Sequence, residues 1–203
     1  MFSMIIGLVG KVGSGKTTCT EFIKEKYNAI VFSCDEIAKD IIAKKEYDLD
    51  IGSPTDLLVN NNLQEEIRTK LHPLVFYRIF MNLLEQEKCN ITNNYNTKNF
   101  IEFFDTNHIF KNFYVIESAL PSDILYKMCD KTICVESVLK SKIDWLSKMR
   151  DYSEEKTNLI LDSQKYYEKF YDMADYKIIN DGDKEKLFKN LKEVVDEIHF
   201  VRK

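Results

Sequence analysis

Residues 4–20 read MIIGLVGKVGSGKTTCT, and their order decides the fold. The first six, Met4 to Val9, are a short apolar run closed by a glycine cluster. That is the pattern of a strand buried on both faces. Gly10-Lys11-Val12-Gly13-Ser14-Gly15-Lys16-Thr17 then satisfies G-x-x-x-x-G-K-[ST]. From Lys16 onward, apolar side chains fall at Cys19, Phe22, Ile23 and Tyr27, which predicts a helix over 16–27. A glycine turn between a buried strand and a helix is the setting this motif requires. Gly13 and Gly15 let successive N–H groups face one anion, and the helix N-terminus adds a favourable dipole. Lys16 can bridge the β- and γ-phosphates of ATP, and the Thr17 hydroxyl can ligate Mg²⁺. Gly13, Ser14, Gly15, Lys16, Thr17 and Thr18 are therefore expected to hold the nucleotide.

Outward from this loop the chain alternates. Residues 29–32, AIVF, read as a second buried strand, and SCDEIAKDIIAKK returns to helical spacing through Ile37, Ile41 and Ile42. This β-α-β-α start implies crossover units and a parallel sheet. Residues 113–117, 132–136 and 176–179 supply three further strands. Helices are expected over 63–88, kinked or restarted at Pro73, over 138–149 and 153–172, and over 184–199. Residues 46–62 read as loop. Residues 89–112 hold seven Asn and no convincing period beyond a short helix near Phe100 to Phe104. They are expected to lie outside the central sheet, since Asn-rich sequence offers few apolar groups to bury. The Asn-Ile-Thr at Asn90 fits a glycosylation sequon, a match without context here.

Composition narrows the class. The chain has 203 residues, 44% hydrophobic and 31% charged, with a net charge of −4. That suits one globular domain and gives no support to a nucleic-acid-coating role. No run approaches the ~20 apolar residues of a membrane span, and the start lacks the basic region of a signal peptide. Five cysteines, an odd number without a C-x-x-C pair, match no zinc module and read as reduced thiols in the cytoplasm. Cys19 and Cys34 flank the expected site and read as small buried fillers. The absence of an N-K-x-D-like guanine reader disfavours a GTPase. A small β-α frame with a helical insertion suits a kinase acting on a small metabolite.

Two carboxylates and two cations are placed by this frame. Asp35, just past the second strand, is expected to face the crevice at the strands' carboxyl ends. It could accept the proton of an attacking hydroxyl, or cap the following helix. Glu117 ends the third strand and could hold a Mg²⁺-bound water, or simply meet solvent. Arg150 and Lys148 could close a lid over the phosphates, or form a solvated face.

Read together, GLVGKVGSGKTT, SCDEIAKDII, LHP at Leu71 to Pro73, ESALPSD at Glu117 to Asp123, Gln164, and ADYKIINDG at Ala174 to Gly182 resemble the dephospho-CoA kinase family in order and approximate spacing. The resemblance covers roughly residues 4–195. It implies a P-loop kinase-like three-layer α/β fold in one domain, with a central parallel sheet, a helical acceptor-binding region and a lid. The core would span about 1–45 and 113–203, the acceptor region about 46–88, and an Asn-rich insertion about 89–112. It implies that Asp35 is the base toward a ribose 3′-hydroxyl, that Arg150 is a lid arginine, and that Asn180 and Gly182 lie beside adenine. His72, Asp35 and Glu117 would serve the acceptor. The substrate would be small, with no nucleic-acid or membrane partner and a monomer or weak homo-oligomer as the working form. Ser33 departs from the family's D-A-D pattern at its first Asp, Ala119 stands where a proline is usual, and Leu146 or nothing replaces a second lid arginine. A nucleoside or nucleotide monophosphate kinase, or a nucleotide-binding regulator without catalysis, are the competing readings.

Overall fold

Every residue of Met4–Val9 is buried, which leaves this strand, β1, no solvent face, so it must sit in the middle of a sheet. The computed structural model describes residues 4–44, 67–89, 96–106, 110–138 and 153–201. β1 lies at the centre of a five-stranded sheet with β2 (Ile30–Ser33), β3 (Phe113–Ser118), β4 (Lys131–Ser137) and β5 (Tyr176–Asn180). The order is β2-β3-β1-β4-β5 and every pairing is parallel. The register sets Ser33 beside Glu117, Val9 beside Ser118 and Cys134, and Ser137 beside Asn180 along the carboxyl edge.

Alternation along the strands splits the core in two. Met4, Ile6 and Leu8 join Val115, Ile133 and Ile178 under α1 (Lys16–Tyr27) and the C-terminal helix Lys184–Val201. Ile5, Val9, Tyr114 and Ile116 face the other side, where α2 (Cys34–Ala43), α3 (His72–Gln86), α4 (Phe100–Thr106) and α5 (Asp123–Met128) pack. Gly7 also lies on that side, where a Cβ would come 2.9–3.1 Å from Leu125, Thr132 and Cys129. A π-helical turn, Ile67–Leu71, leads into α3, so the chain restarts its helix next to Pro73 as expected. Among the described residues, α6 (Glu154–Ser163), the 3₁₀ turn Gln164–Tyr167 and α7 (Glu168–Asp172) come between β4 and β5. The expected single helix over 153–172 is thus three pieces. The C-terminal helix is α8.

One expectation fails. The segment 89–112 is no peripheral excursion in its described part. Phe100 is completely buried, Phe104 is buried, and both belong to the cluster containing Tyr114 and Ile116 of the sheet. Phe100 packs on Tyr77 and Phe80, and Phe104 on Phe80 and Phe110. The aromatic residues outweigh their polar neighbours because each can bury 150–250 Å². The expected loop 46–62 and all of the expected helix 138–149 past Val138, with Leu146, Lys148 and Arg150, lie outside the described residues.

Candidate active site at the carboxyl edge of the sheet

The turn after β1 builds the site from backbone geometry. Gly15 has φ +97°, a region costly for any side chain, and a Cβ there would stand 2.3 Å from Asn180 Nδ2. Asn180 Nδ2 donates to the Ser14 carbonyl at 3.0 Å, and the Ser137 hydroxyl donates to the Gly13 carbonyl at 3.3 Å. The loop is thereby held by the ends of β4 and β5. The first turn of α1 carries no acidic residue, so its N-terminal N–H groups are left for an external anion. Ser14 Oγ is buried without a hydrogen-bond partner among the described residues. A cleft of about 300 Å³ opens here, walled by Gly13, Gly15 to Thr18, Ser137, Asn180, Gly182, Lys184 and Leu187.

Lys16 is only 6% exposed, and its ammonium donates to the Lys11 carbonyl at 3.0 Å. Burial pulls its pKa down, against the opposing pull of the Asp35 and Glu117 carboxylates. Glu117 accepts from the Thr17 hydroxyl at 3.1 Å and the Thr20 hydroxyl at 3.3 Å. Burial pushes its pKa up, while Lys16 and the threonine hydroxyls hold it back. Thr17 and Glu117 together present hard oxygen donors of the kind Mg²⁺ prefers. Glu117 is half-buried, with its carboxylate turned onto the first turns of α1.

Asp35 is exposed in the first turn of α2, within electrostatic reach of Lys16 and Glu117. It is not the helix cap. Ser33 takes that role, its hydroxyl accepting from the Glu36 N–H at 3.3 Å. The departure at Ser33 keeps a good cap at this position, and Asp35 is not needed to cap the helix.

The structure brings Lys16, Thr17, Asp35 and Glu117 together, and sets Asn180 and Gly182 on the wall of the cleft beside the loop. His72 lies elsewhere in character: it is buried, with Phe76 and Tyr167 rings at 6.1 and 6.4 Å. Burial pushes the Cys19 thiol up to about 12 and the Cys34 thiol higher still, which suits inert fillers. Sequence reasoning missed Thr20, which the i, i+3 spacing from Thr17 could have revealed. It also missed Ser137, Lys184 and Leu187, which only strand register and helix packing bring to the cleft.

This sheet order and phosphate loop define a P-loop kinase fold. A Thermus thermophilus protein of known structure superposes with a TM-score of 0.63 at 20% identity, over 96% of this chain and 97% of that one. Shikimate kinase from Acinetobacter baumannii does so with 0.59 at 12% identity, over 96% and 92%. No protein-family model matches the chain. In sequence it is similar to dephospho-CoA kinases. It is 29% identical over 201 residues to that of Fusobacterium nucleatum, spanning 98% of this chain and 100% of the relative. With that of Vibrio parahaemolyticus it shares 21% over 192 residues, 85% of this chain and 83% of the relative.

Proposed function

We propose that this protein is an ATP-dependent kinase that phosphorylates the 3′-hydroxyl of dephospho-CoA to give coenzyme A. The chemistry rests on one observation: a buried phosphate-loop lysine shares the carboxyl edge of the sheet with two carboxylates, one turned onto Thr17 and one exposed. The whole-length similarity to dephospho-CoA kinases supports the choice of acceptor. ATP lies along the loop from Gly13 to Thr18 with its base toward Asn180 and Gly182. Thr17, with help from Glu117, would hold Mg²⁺, which would supply charge neutralisation when bound. Lys16 neutralises phosphate charge in a dry setting where that interaction is strong. Asp35 accepts the proton as the acceptor oxygen bonds to the γ-phosphorus and the bond to the β–γ bridging oxygen breaks, releasing ADP. A lid role for Arg150 is carried by the sequence resemblance alone, and His72 supports the acceptor region from within its core. Among the described residues no helix is long and apolar enough to cross a membrane. We assign the protein to the cytoplasm on the same reading, with a small-molecule acceptor.

The test is a substrate panel of dephospho-CoA, AMP, dTMP, adenosine and pantetheine, each with ATP and Mg²⁺. Dephospho-CoA should be turned over with the highest kcat/KM. Preference for AMP or dTMP would reassign the acceptor. Lys16→Ala should keep its fold and lose most activity, and full activity in that variant would overturn the phosphate-loop reading.

A further inference from the structure

Gln164 is completely buried, and a buried amide is stable only when both of its ends are satisfied. Its Oε1 accepts from the Val12 N–H at 3.0 Å, and its Nε2 donates to the Ala119 carbonyl at 3.2 Å. Reversing the amide would set donor against donor and acceptor against acceptor, so these partners fix its orientation. The Val12 N–H belongs to the same planar peptide as the Lys11 carbonyl, and that carbonyl accepts the Lys16 ammonium at 3.0 Å. In a trans peptide the two groups point in opposite directions. Gln164 thus grips one side of the peptide while Lys16 rests on the other. The Lys11 carbonyl also accepts from the Ser14 N–H at 3.1 Å, so the loop's turn holds this peptide from its carbonyl side and Gln164 holds it from its N–H side.

We propose that Gln164 is a positioning residue for Lys16: it fixes the Lys11–Val12 peptide and so sets where the ammonium meets the phosphates. The far end of the amide extends the effect. Ala119 lies two residues past Glu117, and its carbonyl also accepts the Tyr171 hydroxyl at 2.7 Å. Gln164 therefore braces the phosphate loop against the strand end that carries Glu117. Four residues on, Glu168 pairs with the Lys11 side chain, a second tie between the same two segments.

This inference rests on ATP binding at the phosphate loop but not on the identity of the acceptor. It is tested by calorimetric titration of the whole protein with ATP and Mg²⁺, without acceptor. Gln164→Met matches the side chain in length and lacks both hydrogen bonds. It should weaken ATP binding about tenfold, the loss of one well-placed contact. Gln164→Glu, neutral in so dry a position, keeps an acceptor and a donor and should restore affinity to within about threefold of the unaltered protein. Tyr171→Phe removes the other donor to Ala119 and leaves the Lys11–Val12 peptide untouched, so it should lower thermal stability and leave ATP affinity within about twofold. Unchanged ATP affinity in Gln164→Met would overturn the proposal, as would an equal loss in Tyr171→Phe. If Gln164→Met does not fold, Gln164→Asn, too short to span both partners, takes its place with the same expectation. Failure of dephospho-CoA in the substrate panel, with this ATP-binding pattern intact, would count against the acceptor alone.

Discussion

Asp35 and Ser33 divide two tasks that one residue could have shared. Ser33 ends β2 in extended conformation and satisfies a free N–H of α2, while Asp35 stands two residues further on, exposed and near Lys16. Asp35→Asn therefore tests chemistry almost in isolation. It should lower kcat with dephospho-CoA by roughly 10²–10⁴-fold, the usual worth of general-base assistance, and leave ATP affinity nearly unchanged. Ser33→Ala should do the reverse, costing about 1 kcal/mol of stability for the lost cap while kcat stays within a few-fold. Near-normal kcat in Asp35→Asn, measured by steady-state kinetics, would remove the base assignment.

At the scale of elements, α4 is the instructive case. Its seven residues, FIEFFDT, sit inside an Asn-rich stretch, yet Phe100 is enclosed by Tyr77 and Phe80 of α3. Phe100→Ala should cost about 3–5 kcal/mol, the range for emptying a buried phenyl site. For a domain of this size that corresponds to a fall in Tm of roughly 6–20 °C. A shift within a degree in differential scanning calorimetry would show the element to be peripheral after all. β4 and β5 are pinned in a different way. Asp175 accepts from the Thr132 N–H and hydroxyl, both at 2.8 Å, and from Lys131 at 2.7 Å. The Ala-Asp that opens ADYKIINDG is thus a splice between strands, and it sets the register that delivers Asn180 to the phosphate loop.

Across the whole molecule, β1 and β3 are neighbours whose following helices leave toward opposite faces. Cys19 and Ile23 of α1 pack on one side of the sheet, Leu125 and Met128 of α5 on the other. The divergence opens a crevice at their carboxyl ends, where open α/β sheets bind ligands. The opposite end is closed by Glu87. One of its oxygens accepts from the Lys111 and Asn112 N–H groups, the Asn112 side chain and the Tyr114 hydroxyl, at 2.7–3.0 Å. Burial acts to raise the Glu87 pKa, but these donors outweigh it and the net shift is downward. A carboxylate lowered on folding stabilises the native state above its unfolded pKa of about 4.3, and that contribution is lost as pH falls through the lower folded value. Glu87→Gln should therefore be less stable than the unaltered protein at pH 7, with the gap closing toward pH 3. Urea unfolding at both pH values measures it, and a gap independent of pH would refute the assignment.

What the amino-acid order settled by itself is what short-range physics controls. The apolar runs at Met4–Val9 and in residues 113–117 read as buried strands, and the glycines before Lys16 as a turn onto a helix. These elements and the loop chemistry depend on residues a few positions apart. The resemblance in spaced motifs then supplied the acceptor and the Asp35 role proposed above. Tertiary structure alone decided the rest. A polar-rich segment enters the core because distant α3 offers aromatic partners for its phenylalanines. Ser33 rather than Asp35 caps α2, a choice set by where β2 ends. Gln164 reaches a peptide 152 positions away because α6 and its 3₁₀ turn return over the phosphate loop. Such contacts join segments with no local signal in common, and only the packed sheet and its covering helices bring them within hydrogen-bond distance.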